Sequence, residues 1–311
     1  KYSPTVRVNP PRSHQLQSVN LQLDPGSRLR LQSNIAASQV NSNTYARGTT
    51  AQKAGIAGSI DGNVRLLNLG GNRTNDGVDL YGGYQNWSDD FSPLDRVEAA
   101  EFSRRWNLSR AAPQRDEYGE VQSEIGVRVT KAEYFRANAE YGRLNRGNDF
   151  TATRQEQSVA GQYGLVEQAE YYREHATSGE SDTRELQRAR LQVGQHWYHP
   201  FVTWRFEEFT GDSSVVLNQP EVGLLLTAAG GNRITFSYAR ETIEQQPDTL
   251  SKRILKSTSD TYTLSGTVRR GRSLNSRWNI SHRRRDYSAY FEENALLTDS
   301  RFTLADWTGA W

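Results

Sequence analysis

Polar and apolar residues alternate in short runs along almost the whole chain. Val121, Ser123, Ile125, Val127 and Val129 are interleaved with Gln122, Glu124, Gly126 and Arg128. Ala189, Leu191, Val193 and Trp197 share one parity, and Arg190, Gln192, Gly194 and His196 the other. Val202, Trp204 and Phe206 enclose Thr203 and Arg205, and Ile234, Phe236 and Tyr238 enclose Thr235 and Ser237. Tyr262, Leu264 and Val268 oppose Thr261, Thr263, Ser265 and Thr267, as Leu274, Trp278 and Ile280 oppose Asn275, Arg277, Asn279 and Ser281. Strand side chains point to opposite faces with a period of two, so each run predicts a strand with one wet face and one apolar face. A chain made of such strands must close, stack or be covered, because open edges aggregate.

The 311 residues suffice for one large barrel or two smaller sandwiches. Only 35% are hydrophobic and the mean hydropathy is −0.80. Soluble domains run at about 45–50% apolar with glycine included, and this chain lies near or below that band. Aromatic content and clean alternation argue against disorder. A large barrel with a wet interior accounts for the polarity, since only every second residue needs an apolar neighbour. With 38 basic and 36 acidic residues the chain lacks the basic excess of a nucleic-acid binder. There is no Cys, which excludes disulfides, thiolate metal sites and cysteine nucleophiles. There is no Met either, which suggests a mature form after signal cleavage or a piece of something longer. The longest apolar stretch, Val222–Ala229, is strand-sized, and no run of about 18 apolar residues offers a transmembrane helix.

Residues 1–26 carry Pro4, Pro10, Pro11 and Pro25 and read as an arm or an irregular strand pair around Val19, Leu21 and Leu23. Residues 27–311 read as the barrel. Its strand centres fall near Leu31, Ile56, Leu66, Leu80, Val97, Trp106, Ile125, Ala137, Ala160, Ala169, Leu191, Trp204, Leu224, Phe236, Leu264, Trp278 and Leu304. The expected total is roughly 16–18 strands. Hairpin turns are expected at Asp61-Gly62, Gly70-Gly71-Asn72, Asp76-Gly77, Arg146-Gly147-Asn148, Gly230-Gly231-Asn232 and Arg270-Gly271-Arg272. Longer polar connections are expected at Ser109–Asp116, Thr177–Thr183, Glu244–Lys256 and Arg283–Ser300. Short turns at one rim and long loops at the other are the habit of transmembrane barrels. Helical periodicity is nearly absent. Asp182–Leu191 can be written as a helix, although strand spacing fits it as well.

Aromatic residues gather near the expected strand ends: Tyr81, Tyr84 and Trp87, then Trp197 and Tyr198, then Trp307 and Trp311. Tyr and Trp favour a membrane–water interface, so these seven are the expected interface aromatics. The closing run from Arg301 to Trp311 ends on an aromatic, with Trp307 on the same face and small residues between. It resembles the terminal strand of bacterial outer-membrane β-barrels, whose final aromatic is read by the assembly machinery. The resemblance covers about ten residues, and Arg301 and Asp306 depart from the pattern. The strand-and-turn grammar extends it over most of the chain as architecture alone.

Two stretches oppose a lipid-facing reading. Leu165, Glu167, Ala169 and Tyr171 on one parity and Val166, Gln168, Glu170 and Tyr172 on the other both carry Glu, and Arg104 stands between Phe102 and Trp106. A mid-membrane Arg costs roughly 2–4 kcal/mol.

Arg128, Arg188, Arg190, Arg205, Arg269 and Arg277 lie on polar faces and are the candidate lumen-lining residues. They favour anionic solutes such as phosphorylated or uronic-acid sugars. Cross-strand pairing with Glu120, Glu124 and Glu207 is the simpler alternative. His196 and His199 do not share a strand face, which argues against a shared metal. Adjacent carboxylates at Asp89-Asp90, Glu207-Glu208 and Glu292-Glu293 point to opposite faces and make poor acid–base pairs. No nucleophile triad, phosphate loop or dinucleotide fingerprint is present.

The expectation is therefore an all-β, antiparallel, up-and-down transmembrane β-barrel of the bacterial outer membrane, whole or part of a larger barrel. It acts as a pore, exporter or surface scaffold, is not an enzyme, and needs no cofactor or metal. Membrane lipid is its expected surround. An anionic solute or polysaccharide and other envelope proteins are candidate partners, and nucleic acid is not. The rival is a soluble or cell-surface structural β-sheet protein that binds glycans or partner proteins. The discriminating feature is an uninterrupted apolar band about 25 Å tall on one face of most strands.

Overall fold

A computed structural model describes residues 13–26, 28–41, 52–69, 76–92, 102–108, 119–132, 134–147, 149–179, 181–194, 196–211, 214–247, 250, 252–270, 274–295 and 297–310. Among these the chain forms one sheet of 15 strands, each beside its sequence neighbour. They are β1 (Ser13–Leu23), β2 (Leu29–Asn41), β3 (Gln52–Asn68), β4 (Gly77–Trp87), β5 (Glu120–Lys131), β6 (Phe135–Arg146), β7 (Phe150–Tyr163) and β8 (Val166–Ser178). There follow β9 (Asp182–Val193), β10 (Tyr198–Thr210), β11 (Val215–Ala228), β12 (Asn232–Gln245), β13 (Ile254–Arg270), β14 (Leu274–Tyr287) and β15 (Ser300–Ala310). Two short helices interrupt them, α1 (Phe102–Arg105) and α2 (Ala289–Ala295). The all-β, antiparallel, up-and-down architecture stands. Contacts divide the chain into two compact units, residues 1–68, 77–128 and 140–154, and residues 69–76, 129–139 and 155–311.

The polarity of the two faces is inverted relative to a water-soluble sheet. Val19 is 69% exposed and Ile56 64%, whereas Arg154 is 1% and Glu120 4% exposed. Register explains why. Leu224, Phe236, Leu264 and Ile280 lie directly opposite one another from β11 to β14, as do Val222, Tyr238 and Tyr262 from β11 to β13. The residues between them (Ser237, Thr263, Ser281) form the other face. We call these the apolar and the charged face. In the first unit Ile60 faces Tyr84 on the apolar face, and Arg65 faces Asp79 on the charged one. On β10 the apolar face runs Tyr198, Pro200, Val202, Trp204, Phe206 without a charge, roughly 27 Å along the strand at about 3.4 Å per residue. On β13 it runs Val268, Gly266, Leu264, Tyr262 and stops at Asp260, about 20 Å. β7 departs from the rule, with exposed Gln155 and Gln157 on its apolar-side parity.

Among the described residues, bulges shift parity at three places. The one between Val166 and Gln168 inserts Glu167 beside Gln168, and Glu167 then bonds Gln192 and His199 on the charged face. The apparent Glu on both faces of this strand is thus a step of one residue. The others lie between Arg65 and Leu67 and between Ile243 and Glu244.

Several expected elements are corrected. Ile56 and Leu66 belong to a single strand that passes through Asp61-Gly62, because Asp61 pairs with Gln32 and Gly83 and Gly62 with Leu31 and Gly82. Trp106 follows α1 and lies in no strand. With β1 added and Val97 outside the described residues, the described residues hold 15 strands beside the roughly 16–18 expected. Thr177 and Thr183 pair directly, so that connection is a tight hairpin with Gly179 at φ 60°. Of the two readings open for Asp182–Leu191 the strand holds, and Ser13–Leu23, around Val19, Leu21 and Leu23, is a strand paired with β2. The expected strand at Val97, the turns at Gly70-Gly71-Asn72 and Arg270-Gly271-Arg272, and the loop Ser109–Asp116 lie outside the described residues. Gly230 and Gly231, both at φ 79°, make the β11–β12 turn as expected.

Connections alternate between the two ends of the strands. One end holds 24–28, 69–76, 132–134, 164–165, 194–197, 229–231 and 271–273. The other holds 42–51, 88–119, 147–149, 179–181, 211–214, 246–253 and 288–299, which include the longest.

Candidate functional site: the charged face

In the first unit the charged face of β5–β7 carries a buried ion network. The Arg154 guanidinium donates to Glu124 at 3.4 Å and to Glu140, with 1% of the Arg154 side chain exposed. Tyr81 donates its hydroxyl to Glu140 at 2.8 Å. Arg146 holds Glu120 at 2.8 Å, both nearly inaccessible. Burying these charges is tolerable only because each has partners.

The cover over this network comes from the β4–β5 connection. Trp106 packs with Leu144 and Ala152, flanked by Phe102, Leu108 and Phe150. Its ring lies 5.8 Å from the Arg154 guanidinium, and Phe102 lies 5.6 Å from that of Arg146. Gly142 makes room, since a Cβ there would stand 2.9 Å from the indole. Arg104, expected between two aromatics of a strand, sits in α1 instead.

In the second unit, Arg184 bridges Glu174 at 2.7 Å and Glu207 at 2.9 Å, and Arg205 adds a second bond to Glu207 at 2.7 Å. Arg283 and Arg285 share Glu241 at 2.6 and 2.9 Å. Glu208, on the opposite parity from Glu207, pairs with Arg253, so this adjacent carboxylate pair is split between faces. Near the short-connection end, the His199 ring nitrogens contact Glu167 at 2.8 Å and the Thr227 hydroxyl at 2.9 Å, tying β8, β10 and β11 together. His199 is thereby engaged apart from His196. Among the described residues no group of three or more His, Cys, Asp or Glu could hold a metal.

All six arginines singled out in the sequence lie on the charged-face parity. Arg205 is ion-paired to Glu207. Arg190 donates to Gln192 and stacks 5.0 Å from Phe201, and Arg128 lies 4.9 Å over Tyr81. Arg188, Arg269 and Arg277 are exposed. Arg205 apart, the arginines of the ion networks are others: Arg146, Arg154, Arg184, Arg283 and Arg285. Arg154 was hard to find because Thr151, Thr153, Gln155 and Gln157 leave β7 polar on both parities.

The expected interface aromatics divide. Tyr84, Tyr198 and Trp307 lie on the apolar face, and Trp197 is 61% exposed in the turn before β10, 5.4 Å from the Tyr198 ring. Tyr81 and Trp87 turn to the charged face, where Trp87 packs on Phe91 and Ala57, and Trp311 lies outside the described residues. Tyr134, Tyr163 and Trp197 cluster at the short-connection end. Trp204 with Phe206, rings 6.0 Å apart, stand farther along β10, and Tyr238 with Tyr262, 5.1 Å apart, stand at the middle of β12 and β13. Aromatics therefore occupy successive rows of the apolar face: Tyr198, Trp278 and Trp307 in one, Phe236 beside Leu224, Leu264 and Ile280 in the next, then Tyr238 with Tyr262, and Trp204 and Phe206 beyond.

No protein-family model and no curated protein matches the sequence. Solved structures do. OmpT folded in vitro, an outer membrane protein of Vibrio cholerae, aligns with TM-score 0.39 and 12% identity over 96% of this chain and 94% of that one. Its loop L8 deletion mutant gives 0.39 and 11% over 96% and 98%, and outer-membrane expressed OmpT gives 0.37 and 11% over 96% and 94%. At these values the likeness adds nothing to what the strands themselves establish. The expectation that the chain is not an enzyme is withdrawn. Missing sequence motifs do not decide the matter, and an enzymatic role stays open.

Proposed function

We propose that the chain forms wall of a bacterial outer-membrane β-barrel, with the apolar face against lipid and the charged face lining a water-filled pore for small polar solutes. The observation that carries this reading is the inverted polarity: aliphatic and aromatic residues exposed on one face, and ion networks on the opposite face. At a strand tilt of about 35–45° the roughly 20 and 27 Å along β13 and β10 correspond to an apolar band roughly 14–22 Å tall, somewhat short of the about 25 Å of such barrels. The segment carrying Trp106, docked on the charged face, narrows the path along β5–β7. The lumen arginines bias the path toward anions.

The test is membrane fractionation of the secreted chain, then electrophoresis of unheated and boiled samples, then conductance in planar bilayers. Outer-membrane enrichment, a mobility shift on boiling and discrete conductance steps are expected. A detergent-independent, water-soluble protein with no shift would sink the reading. It would favour a cell-surface β-sheet protein, which the polar parity of β7 suits better.

A further inference from the structure

The arginines of the charged face differ from one end of the strands to the other. Toward the long-connection end, Arg184, Arg283 and Arg285 all hold carboxylates. At the short-connection end, Thr227, Arg233, Thr267, Arg277 and Thr308 lie directly opposite one another from β11 to β15. Arg269 follows two residues beyond Thr267. The side chains of Arg233, Arg269 and Arg277 are exposed and make no hydrogen bond or ion pair among the described residues. Asp306, opposite Asn279 in the adjoining row, is the nearby carboxylate, while Glu167 is taken by His199 and Gln192.

Arg233 and Arg277 flank Thr267 in one row, each with a hydroxyl rather than a carboxylate directly opposite. Arg233 and Arg277 are two strands apart, about 10 Å, with the Thr267 hydroxyl between them. Each side chain is long enough to reach the middle of that gap. A guanidinium fork pairs with an oxyanion in two parallel bonds.

We infer that this row is a binding site for the phosphate or carboxylate group of a solute, held between Arg233 and Arg277 over Thr267, with Arg269 attracting it at the outer edge. The inference deepens the pore reading, since it requires the charged face to be wetted.

The test uses the full chain folded in detergent, titrated with inorganic phosphate by calorimetry at ionic strength matched with chloride. Phosphate binding is expected. Arg233→Gln with Arg277→Gln should weaken it about tenfold or more, and Thr267→Val by less. Arg240→Gln, on the apolar face, should leave it unchanged. No phosphate heat above the chloride blank, or equal weakening by Arg240→Gln, overturns the site. Vesicles of anionic phospholipid provide the second arm. Binding to them alone, without soluble phosphate, would assign phosphate recognition to the lipid side and also overturn the site. Bilayer conductance is read separately, so loss of the pore reading with phosphate binding intact is distinguishable from loss of the site.

Discussion

The charged face of β5–β7 and that of β11–β15 are built from the same alternation and have opposite fates. On β5–β7 the segment with Phe102 and Trp106 covers the wall, and Arg146 and Arg154 are buried with carboxylates bound to each. On β11–β15 the short-connection end has no such partners among the described residues, and Arg233 and Arg277 stand exposed. Desolvation decides between them. An arginine removed from water needs a carboxylate, whereas an arginine left in water needs none.

That comparison can be broken most directly at Arg154. Arg154→Ala strands Glu124 and Glu140 and should cost about 3–5 kcal/mol in urea unfolding, whereas Arg277→Ala should cost under about 0.5 kcal/mol. Equal costs would mean that cover does not set the energetics. Trp106→Ala removes the cover itself and should cost about 3 kcal/mol. Limited proteolysis should then cut within residues 102–108, and an uncut chain would show that the indole is not the anchor. The faces are sharpened by neighbours in sequence. Leu264→Arg should destabilise the folded chain in lipid by roughly 2–4 kcal/mol, and Ser265→Arg by less than about 1 kcal/mol, as a lumen substitution tunes selectivity instead. If the two cost the same, the assignment of faces fails. Among the variants expected to destabilise, the smallest effect is expected at His199. Replacing Thr227 by Val deletes one of its two bonds, for about 1 kcal/mol in thermal unfolding. No change would mean that this link does not hold β10 to β11.

Most strands were legible because alternation is local. The runs around Ile125, Leu191, Trp204, Phe236 and Leu264 are all strands, with the faces that their residues imply. What stayed hidden is non-local. Asp61-Gly62 has the chemistry of a two-residue turn, yet both flanking strands extend past it and the ladder carries it through. Glu167 breaks the period because a bulge is invisible in a single strand, and only the partner register of Val193 and Gln192 reveals it. Trp106 has strand-like spacing to Phe102, but its surroundings come from β6 and β7, some forty residues on. The ion networks were half legible. Glu120, Glu124 and Glu207 were recognised as pairing residues, while their arginine partners depend on strand order.

The up-and-down order of the connections has a consequence for how such a chain can change length. Every strand end belongs to one of two sets by the parity of its number. Gaining one strand would send all later connections to the opposite end, placing segments such as 288–299 where 271–273 now lie. Gaining a hairpin preserves every assignment. Growth without such cost is confined to pairs of strands or to the long connections themselves, where added residues alter neither the facing nor the direction of any strand. Variation in this architecture is therefore quantised in the wall and continuous at one end.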